Sequence, residues 1–388
     1  MLILNSTQNG FGLDIGDKSI KLLRLVLKKT FLHKTKFIVK NYAEVSLPDG
    51  AIEKGEIQNE DLVVDSINKL IKEAGRLPSR AVIASLPESK TFLKTIQITV
   101  KNKKEIPSKI IESLPKIIPL AAEEVYFDWQ IIAGDEKVKK SDFLGKSDFE
   151  KTYTIFLAAA PKTIVDNFLK ILNKADLLPI ALELEAVALT RALLGEKPAA
   201  RKSLFHRAKQ EVEQVMPPRV IIDLGATQTS LIVAESHAPA MSISLPLSGN
   251  YLTELISEKL KIDLAKAEEI KKFCGVDARK CDNKIIPVLG GFIEDICKRI
   301  FKALKTYPDL PPSTKMPPIL LSGGGANMLK IDSVMARNLK IKTIKGNPFE
   351  IWGIESKNKK LNDSPLSSST AIGLALRAVI YPFPSNRH

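Results

Sequence analysis

Two short segments of the sequence combine an aspartate, a glycine and hydroxyl side chains directly after an apolar run. The first contains Asp14, Gly16, Asp17 and Ser19, with Lys21 two residues beyond. Glycine lets a phosphate approach the backbone, and consecutive amides in such a turn form an anion-binding nest. Asp14 can hold a divalent cation through water, and Lys21 can supply a positive charge. Alone, this segment is more typical of a plain β-hairpin in which Asp and Gly serve only the turn.

The second segment repeats the pattern in the other half of the chain and carries Asp223, Gly225, Thr227 and Thr229. The flanking apolar strands repeat as well, in "FGLDIGDKSIKLLRLVL" and "RVIIDLGATQTSLIVAE", which indicates an internal duplication. Two such segments are difficult to explain as coincident turns. We therefore predict two facing hairpins that hold a polyphosphate, with Asp14 and Asp223 converging on one cation through water.

A third segment follows the apolar run "PILL" and contains Gly323, Gly324, Gly325 and Asn327. Glycines at a strand-to-helix turn let a flat base or ribose lie against the backbone, and a helix N-terminus favours an anion. Three glycines alone are also typical of a flexible turn. After two Asp-x-Gly hairpins, they complete a nucleotide-binding pattern.

These segments must be positioned by strands and helices whose apolar spacing predicts an α/β protein. Residues 10–48 predict three strands, and a helix is predicted from Asn59 or Glu60 to Gly75. Residues 88–160 form a different unit of strands, a helical stretch and a polar hairpin tip, which we interpret as a small inserted α+β module. We expect three prolines to break its helical stretch: Pro107, Pro115 and Pro119.

The predicted organisation has two lobes, because 388 residues are too many for one ordinary core. The units are residues 1–84, the N-terminal part of the first lobe; 85–155, the inserted module; 156–218, the rest of the first lobe and a basic interlobe linker; and 219–388, the second lobe, with a smaller helical subdomain at about 247–315.

Composition limits the function classes. The net charge is +14, but the lysines are dispersed and not interleaved with aromatic residues, so we expect no nucleic-acid partner. A weak attraction to acidic inner-leaflet lipid fits better. The three cysteines match no metal or redox spacing and are expected to be thiols in a reducing cytoplasm. No apolar run is long enough to span a bilayer, and no secretory signal is evident.

The order of the motifs resembles the PilM family of type IV pilus assembly proteins, within the actin-like ATPase superfamily and related to the division protein FtsA. The resemblance covers most of the chain. It rests on the following segments: "GLDIGDKSIKLLRL", "VIASLPES", "PLAAEEVYFDWQII", "FLAAAPKTIVDNFLKILNKADLLPIALELEAVALTRAL", "VIIDLGATQTSLIV", "GNYLTELISEKLKIDLAKAEEIK", "ILLSGGGANM", "GNPFEIW" and "STAIGLALRAV".

This resemblance implies an actin-like ATPase fold, with two lobes of duplicated ribonuclease-H-like subdomains and ATP with Mg²⁺ between them. Glu185, at the start of a connecting helix, becomes a candidate to orient water for hydrolysis. The residues implied at the nucleotide are Asp14, Gly16, Asp17, Ser19, Lys21, Asp223, Gly225, Thr227, Thr229, Gly323, Gly324, Gly325 and Asn327, with Lys259, Glu268 and Lys271 around the base and ribose.

The resemblance also implies partners. The module at 85–155 would bind the cytoplasmic tail of a PilN-like bitopic membrane protein, which would make this a cytoplasmic protein at the periphery of the inner membrane. The pilus or type II secretion ATPase machinery and self-association are further expectations. Two departures bear on the site: Ser248-Gly249-Asn250 replaces a glycine pair, and Pro115 interrupts the helix of the module.

Three alternative functions remain open at this point. An FtsA-like division protein would need a C-terminal amphipathic membrane helix, whereas the sequence ends "VIYPFPSNRH". A small-molecule kinase of the same superfold would need a carboxylate base beside an acceptor pocket, and the sequence does not reveal one. A scaffold that has lost nucleotide binding would not need both Asp-x-Gly turns intact. Whether ATP is hydrolysed also stays open.

Overall fold

The computed structural model describes residues 10–29, 35–141, 147–195, 217–235, 237–277, 279–280, 285–307 and 310–380. The tip of the polar hairpin and nearly all of the basic linker predicted at 195–218 lie outside these residues. The sixteen strands described are β1 (Phe11–Ile15), β2 (Ser19–Lys29), β3 (Thr35–Ser46), β4 (Ile52–Glu53), β5 (Glu56–Ile57), β6 (Ala81–Leu86), β7 (Phe92–Val100), β8 (Val125–Ser141), β9 (Ser147–Pro161), β10 (Leu178–Leu184), β11 (Arg219–Leu224), β12 (Thr229–Glu235), β13 (Ala238–Leu245), β14 (Ile319–Ser322), β15 (Thr343–Lys345) and β16 (Ile354–Glu355).

The eleven α-helices described are α1 (Glu60–Ala74), α2 (Ile106–Ile117), α3 (Lys162–Lys174), α4 (Glu185–Leu194), α5 (Gly249–Leu260), α6 (Leu264–Cys274), α7 (Ile286–Leu304), α8 (Ile331–Leu339), α9 (Pro348–Trp352), α10 (Lys359–Asp363) and α11 (Ser369–Ile380). Within the described part of the chain, none of these helices is both long and apolar enough to cross a membrane.

Two large sheets organise the molecule. The first sheet has six strands in the order β10-β6-β1-β2-β3-β16, and the second has eight in the order β15-β14-β11-β12-β13-β7-β9-β8. Each contains the same unit, a hairpin whose first strand also pairs in parallel with another strand. In the first sheet β1 pairs with β2 and with β6, and in the second β11 pairs with β12 and with β14. The duplication seen in the sequence is therefore a duplication of sheet topology.

Helices α4 and α11 connect the two sheets. The buried side of α4 packs against β11, β12 and β14 through Ala186, Leu189 and Leu193. Helix α11 packs on the first sheet, and it lies so close to β1 that a methyl group at Gly12 would come within 2.6 Å of the Ala375 amide nitrogen. Both helices are rich in alanine, which allows this close approach.

The inserted module is attached to the second sheet. Its strand β7 pairs with β13 at Met241 and Lys94, so that β7, β9 and β8 extend that sheet by three strands. The sequence did not predict this pairing. Helix α2 covers one face of the extension with Ile106, Ile110 and Leu114, which are fully buried.

The prediction that prolines break α2 was wrong for two of the three. Pro107 lies in the first turn, where its missing N–H would have no helical partner, and Pro115 lies in the last turn. The helix ends at Ile117, before Pro119. The predicted helix that follows Asn59 was confirmed: α1 is capped by Asn59 and ends at Gly75.

Candidate functional site

The first hairpin places Asp14 at the end of β1 beside Lys21 of β2. The Ser85 hydroxyl donates to Asp14 Oδ1 at 3.2 Å, and the Lys21 ammonium lies 4.0 Å from Asp14 Oδ2. Lys21 also donates to the Ser19 hydroxyl at 3.0 Å, and the turn is closed by the Gly16 amide, which donates to the Ser19 carbonyl. The predicted residues of this segment are thus brought together around one turn.

Asp17 has a different part in this turn. Its Oδ1 accepts a hydrogen bond from the Gly55 amide at 2.9 Å, which fixes the small β4–β5 hairpin against the first hairpin. Asp17 therefore supports the position of the hairpin, in addition to contributing negative charge near the cleft.

The second hairpin is built in the same way. The Gly225 amide donates to the Gln228 carbonyl at 3.0 Å, and a methyl group at Gly225 would lie 2.6 Å from that oxygen, so glycine is required here. Thr227 is exposed at the tip, where its hydroxyl is accessible to a ligand. Thr229, predicted as a phosphate contact, is buried instead, and its hydroxyl donates to the Leu247 carbonyl at 2.6 Å. Thr229 therefore stabilises the hairpin, because its hydroxyl proton is already donated to the Leu247 carbonyl.

The glycine segment packs directly on the second hairpin. Gly323 has φ +83°, and methyl groups at Gly323 and Gly325 would lie 2.6 and 2.8 Å from atoms of Leu224. Gly324 has no atom within 4 Å of such a methyl and is exposed, so its backbone is open to a ligand. The segment continues into a single 3₁₀ turn, Gly324–Asn327, and not directly into an α-helix as the sequence suggested. Asn327 ties the turn to Ser364 with a 2.9 Å hydrogen bond.

Lys271 joins α5 and α6 to the second hairpin. Its buried ammonium donates to the Gly249 carbonyl and the Thr253 hydroxyl, both at 2.8 Å, and pairs with Glu268 at 2.5 Å. Gly249 in turn donates its amide to the Gly225 carbonyl at 3.0 Å. Burial lowers the pKa of Lys271, with the Glu268 carboxylate opposing this effect. Glu268 and Lys271 therefore lie next to the second hairpin, and their predicted contact with the base or ribose stays a prediction.

Lys259 does not join this group. It is exposed and lines a separate depression between α5 and α7 with Leu255 and Phe292. Lys259 lies six residues beyond Thr253 on α5, about 120° around the helix from the residue that accepts a hydrogen bond from Lys271. The predicted contact of Lys259 with the base or ribose is not supported by this placement.

Four carboxyl groups share one electrostatic environment between the hairpins. Burial raises the pKa of Asp14, despite the nearby Lys21 ammonium, and burial together with the Asp14 charge raises the pKa of Asp223 to about 6. Burial raises the pKa of Glu185 most strongly, and the charges of Asp14, Glu88 and Asp223 add to this effect. Glu185 begins α4, as expected from the sequence, and charges of both hairpins, on Asp14 and Asp223, act on it.

Glu88 is a member of this group that sequence reasoning missed. It follows β6, is 6% exposed, and accepts a hydrogen bond from the Ala186 amide of α4 at 3.2 Å. Burial raises the pKa of Glu88, and the Asp223 charge adds to this. No local pattern indicates this role for Glu88, because a glutamate in "LPES" is typical of an exposed turn.

This cluster of carboxyls suits a hydrated cation, which keeps water molecules as ligands. Among the described residues, no group of three or more His, Cys, Asp or Glu side chains is arranged to grip a metal ion directly. The charges of Asp14, Glu88 and Asp223 nevertheless raise the pKa of Glu185, an effect that a bound cation would oppose. Mg²⁺ keeps several of its waters and is held by one or two carboxylates plus phosphate oxygens. Asp14 and Asp223 fit such a site through water.

Comparison with known proteins finds a matching family and solved structures of the same fold. The family model described as type IV pilus assembly protein PilM matches residues 12–379. A solved PilM-PilN type IV pilus biogenesis complex is similar over 96% of this chain and 98% of that chain, with 22% sequence identity and a TM-score of 0.74.

Two further solved structures share the architecture. The ethanolamine utilization protein EutJ from Carboxydothermus hydrogenoformans is 15% identical over 94% of this chain and 88% of its own, with a TM-score of 0.51. MreB5 of Spiroplasma citri bound to ADP is 13% identical over 95% of each chain, with a TM-score of 0.51. These likenesses confirm the predicted two-lobe fold of the actin-like ATPase superfamily.

Proposed function

The chain belongs to the family of type IV pilus assembly proteins PilM, and from this premise we propose that it is an ATP-binding adaptor that binds the cytoplasmic tail of a PilN-like inner-membrane protein. The observation that carries the proposal is the pair of hairpins, whose carboxyls lie close enough for the Asp14 charge to raise the pKa of Asp223. Backbone amides of both turns and the open Gly324 would contact a polyphosphate and its nucleoside, with Mg²⁺ neutralising the carboxyls.

ADP is present in the MreB5 structure that shares this fold, which supports nucleotide binding here. The nucleotide would contact both hairpins and so favour a closed arrangement of the two lobes. Glu185 faces the same cleft and is the residue that we propose to orient water if hydrolysis occurs. Measuring the rate of phosphate release by E185Q tests this role. A rate equal to that of the wild type would exclude it.

The inserted module offers one face for a partner peptide. Its α2 side is filled by buried residues such as Ile98, Tyr153 and Ile155. Because side chains alternate along a strand, Tyr126, Gln130 and Phe156 lie on the opposite face. Tyr126 is 48% exposed there, and the Lys162 ammonium of α3 lies 5.4 Å from the centre of its ring. We propose that the tail binds between this face and α3.

Substitution at the two faces tests this location. Y126A is expected to weaken the binding of a PilN-tail peptide about tenfold, because an aromatic anchor at a peptide interface typically contributes 1–2 kcal/mol or more. The matched control is I111A, which removes an apolar side chain that is 52% exposed on α2. Loss of affinity in I111A but not in Y126A would place the peptide on the α2 face and contradict this proposal.

The same peptide tests whether the adaptor is switched by nucleotide. Its affinity is measured by titration calorimetry with and without saturating Mg-ATP, and we expect tighter binding with nucleotide. Equal affinities would refute regulation by nucleotide but not the adaptor function. Failure of the peptide to bind under either condition would remove the adaptor function itself. Binding to the tail would also place this protein at the periphery of the inner membrane.

A further inference from the structure

One buried carboxyl joins three elements at the base of the inserted module. Glu88 lies in the turn between β6 and β7, where the chain leaves the first sheet. Its Oε2 accepts a hydrogen bond from the Ala186 amide at the start of α4, at 3.2 Å. Its Oε1 accepts one from the hydroxyl of Ser242 on β13. A single side chain therefore connects the first sheet, α4 and the second sheet.

The same turn is tied to the first phosphate hairpin. Asp17 holds the Gly55 amide at 2.9 Å, and Gly55 packs so tightly that a methyl group there would lie 2.7 Å from Pro87 Cβ. The Ser89 hydroxyl also donates to the Lys54 carbonyl at 3.2 Å. A displacement of the first hairpin is thus transmitted by direct contact to the residues on both sides of Glu88.

The other end of this contact chain is the attachment of the module. Lys94 of β7 pairs with Met241, the residue before Ser242. The Glu88–Ser242 hydrogen bond therefore lies next to the pairing that fixes β7 to the second sheet. Strand β13, which carries Ser242, belongs to the same sheet as β11 and β12, the strands of the second phosphate hairpin. Movement between the two hairpins therefore changes the separation of Glu88 and Ser242 unless the hydrogen bond between them holds.

We propose that Glu88 is a positioning residue that couples the nucleotide cleft to the partner-binding module through its hydrogen bonds to Ser242 and to the Ala186 amide. This inference rests on the proposed function. Nucleotide that contacts both hairpins holds Glu88 and Ser242 together, and the module is then held firmly on the second sheet. Without nucleotide, the lobes separate more easily and the β7–β13 pairing opens more often.

Hydrogen exchange of the β7 amides, with and without saturating Mg-ATP, measures this coupling. In the wild type we expect nucleotide to slow exchange at least about fivefold, the lower end of typical allosteric coupling. S242A is expected to reduce that nucleotide-dependent difference to less than about twofold while it still binds nucleotide, and E88A is expected to reduce the difference to the same extent. E88Q keeps both hydrogen bonds, with its amide donating to Ser242, and is expected to preserve the difference.

The matched control is T152A, which removes a 2.9 Å hydrogen bond between Thr152 and Thr99 within the module, away from Glu88. It should retain the nucleotide-dependent difference, whereas a merely structural effect would lower protection with and without nucleotide alike. S242A loses one hydroxyl group only, so it keeps the test valid if E88A does not fold.

The outcomes are distinguishable. If Mg-ATP does not raise the melting temperature of the wild type, nucleotide binding fails, and this inference fails with it. If Mg-ATP stabilises the wild type but leaves β7 exchange unchanged, nucleotide binding stands and the coupling is refuted. If S242A and E88A keep the full difference, or T152A loses it, Glu88 is not the coupling residue.

Discussion

Asp223 shows what a cluster of like-charged side chains does to its members. The carboxyl lies at the end of β11, within range of the Asp14 charge, and its pKa is about 6. Its opposing partners are the Ser322 hydroxyl and the Lys21 ammonium, which do not offset the cost of burial. An arrangement that costs stability in the free protein but would bind a cation is typical of functional sites.

The raised pKa of Asp223 predicts a pH-dependent stability. The folded protein binds this proton more tightly than the unfolded chain, so the contribution of Asp223 is fully present below its unfolded pKa of about 4 and is lost as pH rises through about 6. Denaturant unfolding of nucleotide-free protein should show a stability that falls over this range. D223N should flatten part of that slope. Identical slopes for wild type and D223N would contradict the assignment.

The sequence contained much of the residue-scale chemistry, because the hairpin residues form local patterns. Asp14, Gly225 and Gly323 lie at the strand ends and turns where such patterns place them. Glu88 and the supporting part of Thr229 could not be predicted, because both depend on which residues fold against them. Their partners Ser242 and Leu247 come from other elements of the chain.

At the scale of elements, the α5–α6 pair is held to the second hairpin by Lys271. Replacing this lysine by methionine removes three hydrogen-bonded contacts and should destabilise the fold by about 2–3 kcal/mol, measured by denaturant unfolding. K272M is the matched control, since the Lys272 side chain is 73% exposed and its substitution should change stability by less than about 0.5 kcal/mol. Equal effects of the two substitutions would refute a special part for Lys271.

The crossing of α4 and α11 gives a second element-scale prediction. A methyl group at Gly373 would lie 2.0 Å from the Ala188 carbonyl oxygen, so G373A should destabilise the protein by about 1–3 kcal/mol or prevent folding. G290A makes the same change on α7, where no atom lies within 4 Å, and should stabilise the protein by about 0.5–1 kcal/mol. Melting temperatures of both variants check this contrast, and a shift of the same sign would contradict it.

Element prediction from sequence succeeded where apolar spacing and caps determine the outcome, as in α1. It failed where an outcome depends on position within an element. Pro115 is tolerated because it falls in the last turn of α2. The pairing of β7 with β13 joins strands far apart in the chain, and strand alternation alone does not specify a partner.

At the scale of the whole molecule, the two large sheets contribute one hairpin each to a common cleft, and the inserted module extends one of these sheets. A ligand in the cleft and a peptide on the module would therefore both contact the eight-stranded second sheet. The dispersed positive charge would add a weak attraction to anionic membrane, which supports a position close to a membrane-anchored partner.

Titration calorimetry of Mg-ATP into the wild type, D223N and D49N tests nucleotide binding between the hairpins most directly. Asp49 is the control carboxyl, because its side chain is 93% exposed and it pairs only with Lys18 among the described residues. We predict that the wild type and D49N bind with the same affinity and that D223N binds at least about tenfold more weakly, a loss of about 1.4 kcal/mol. No binding by the wild type, or equal affinity in D223N, would contradict it.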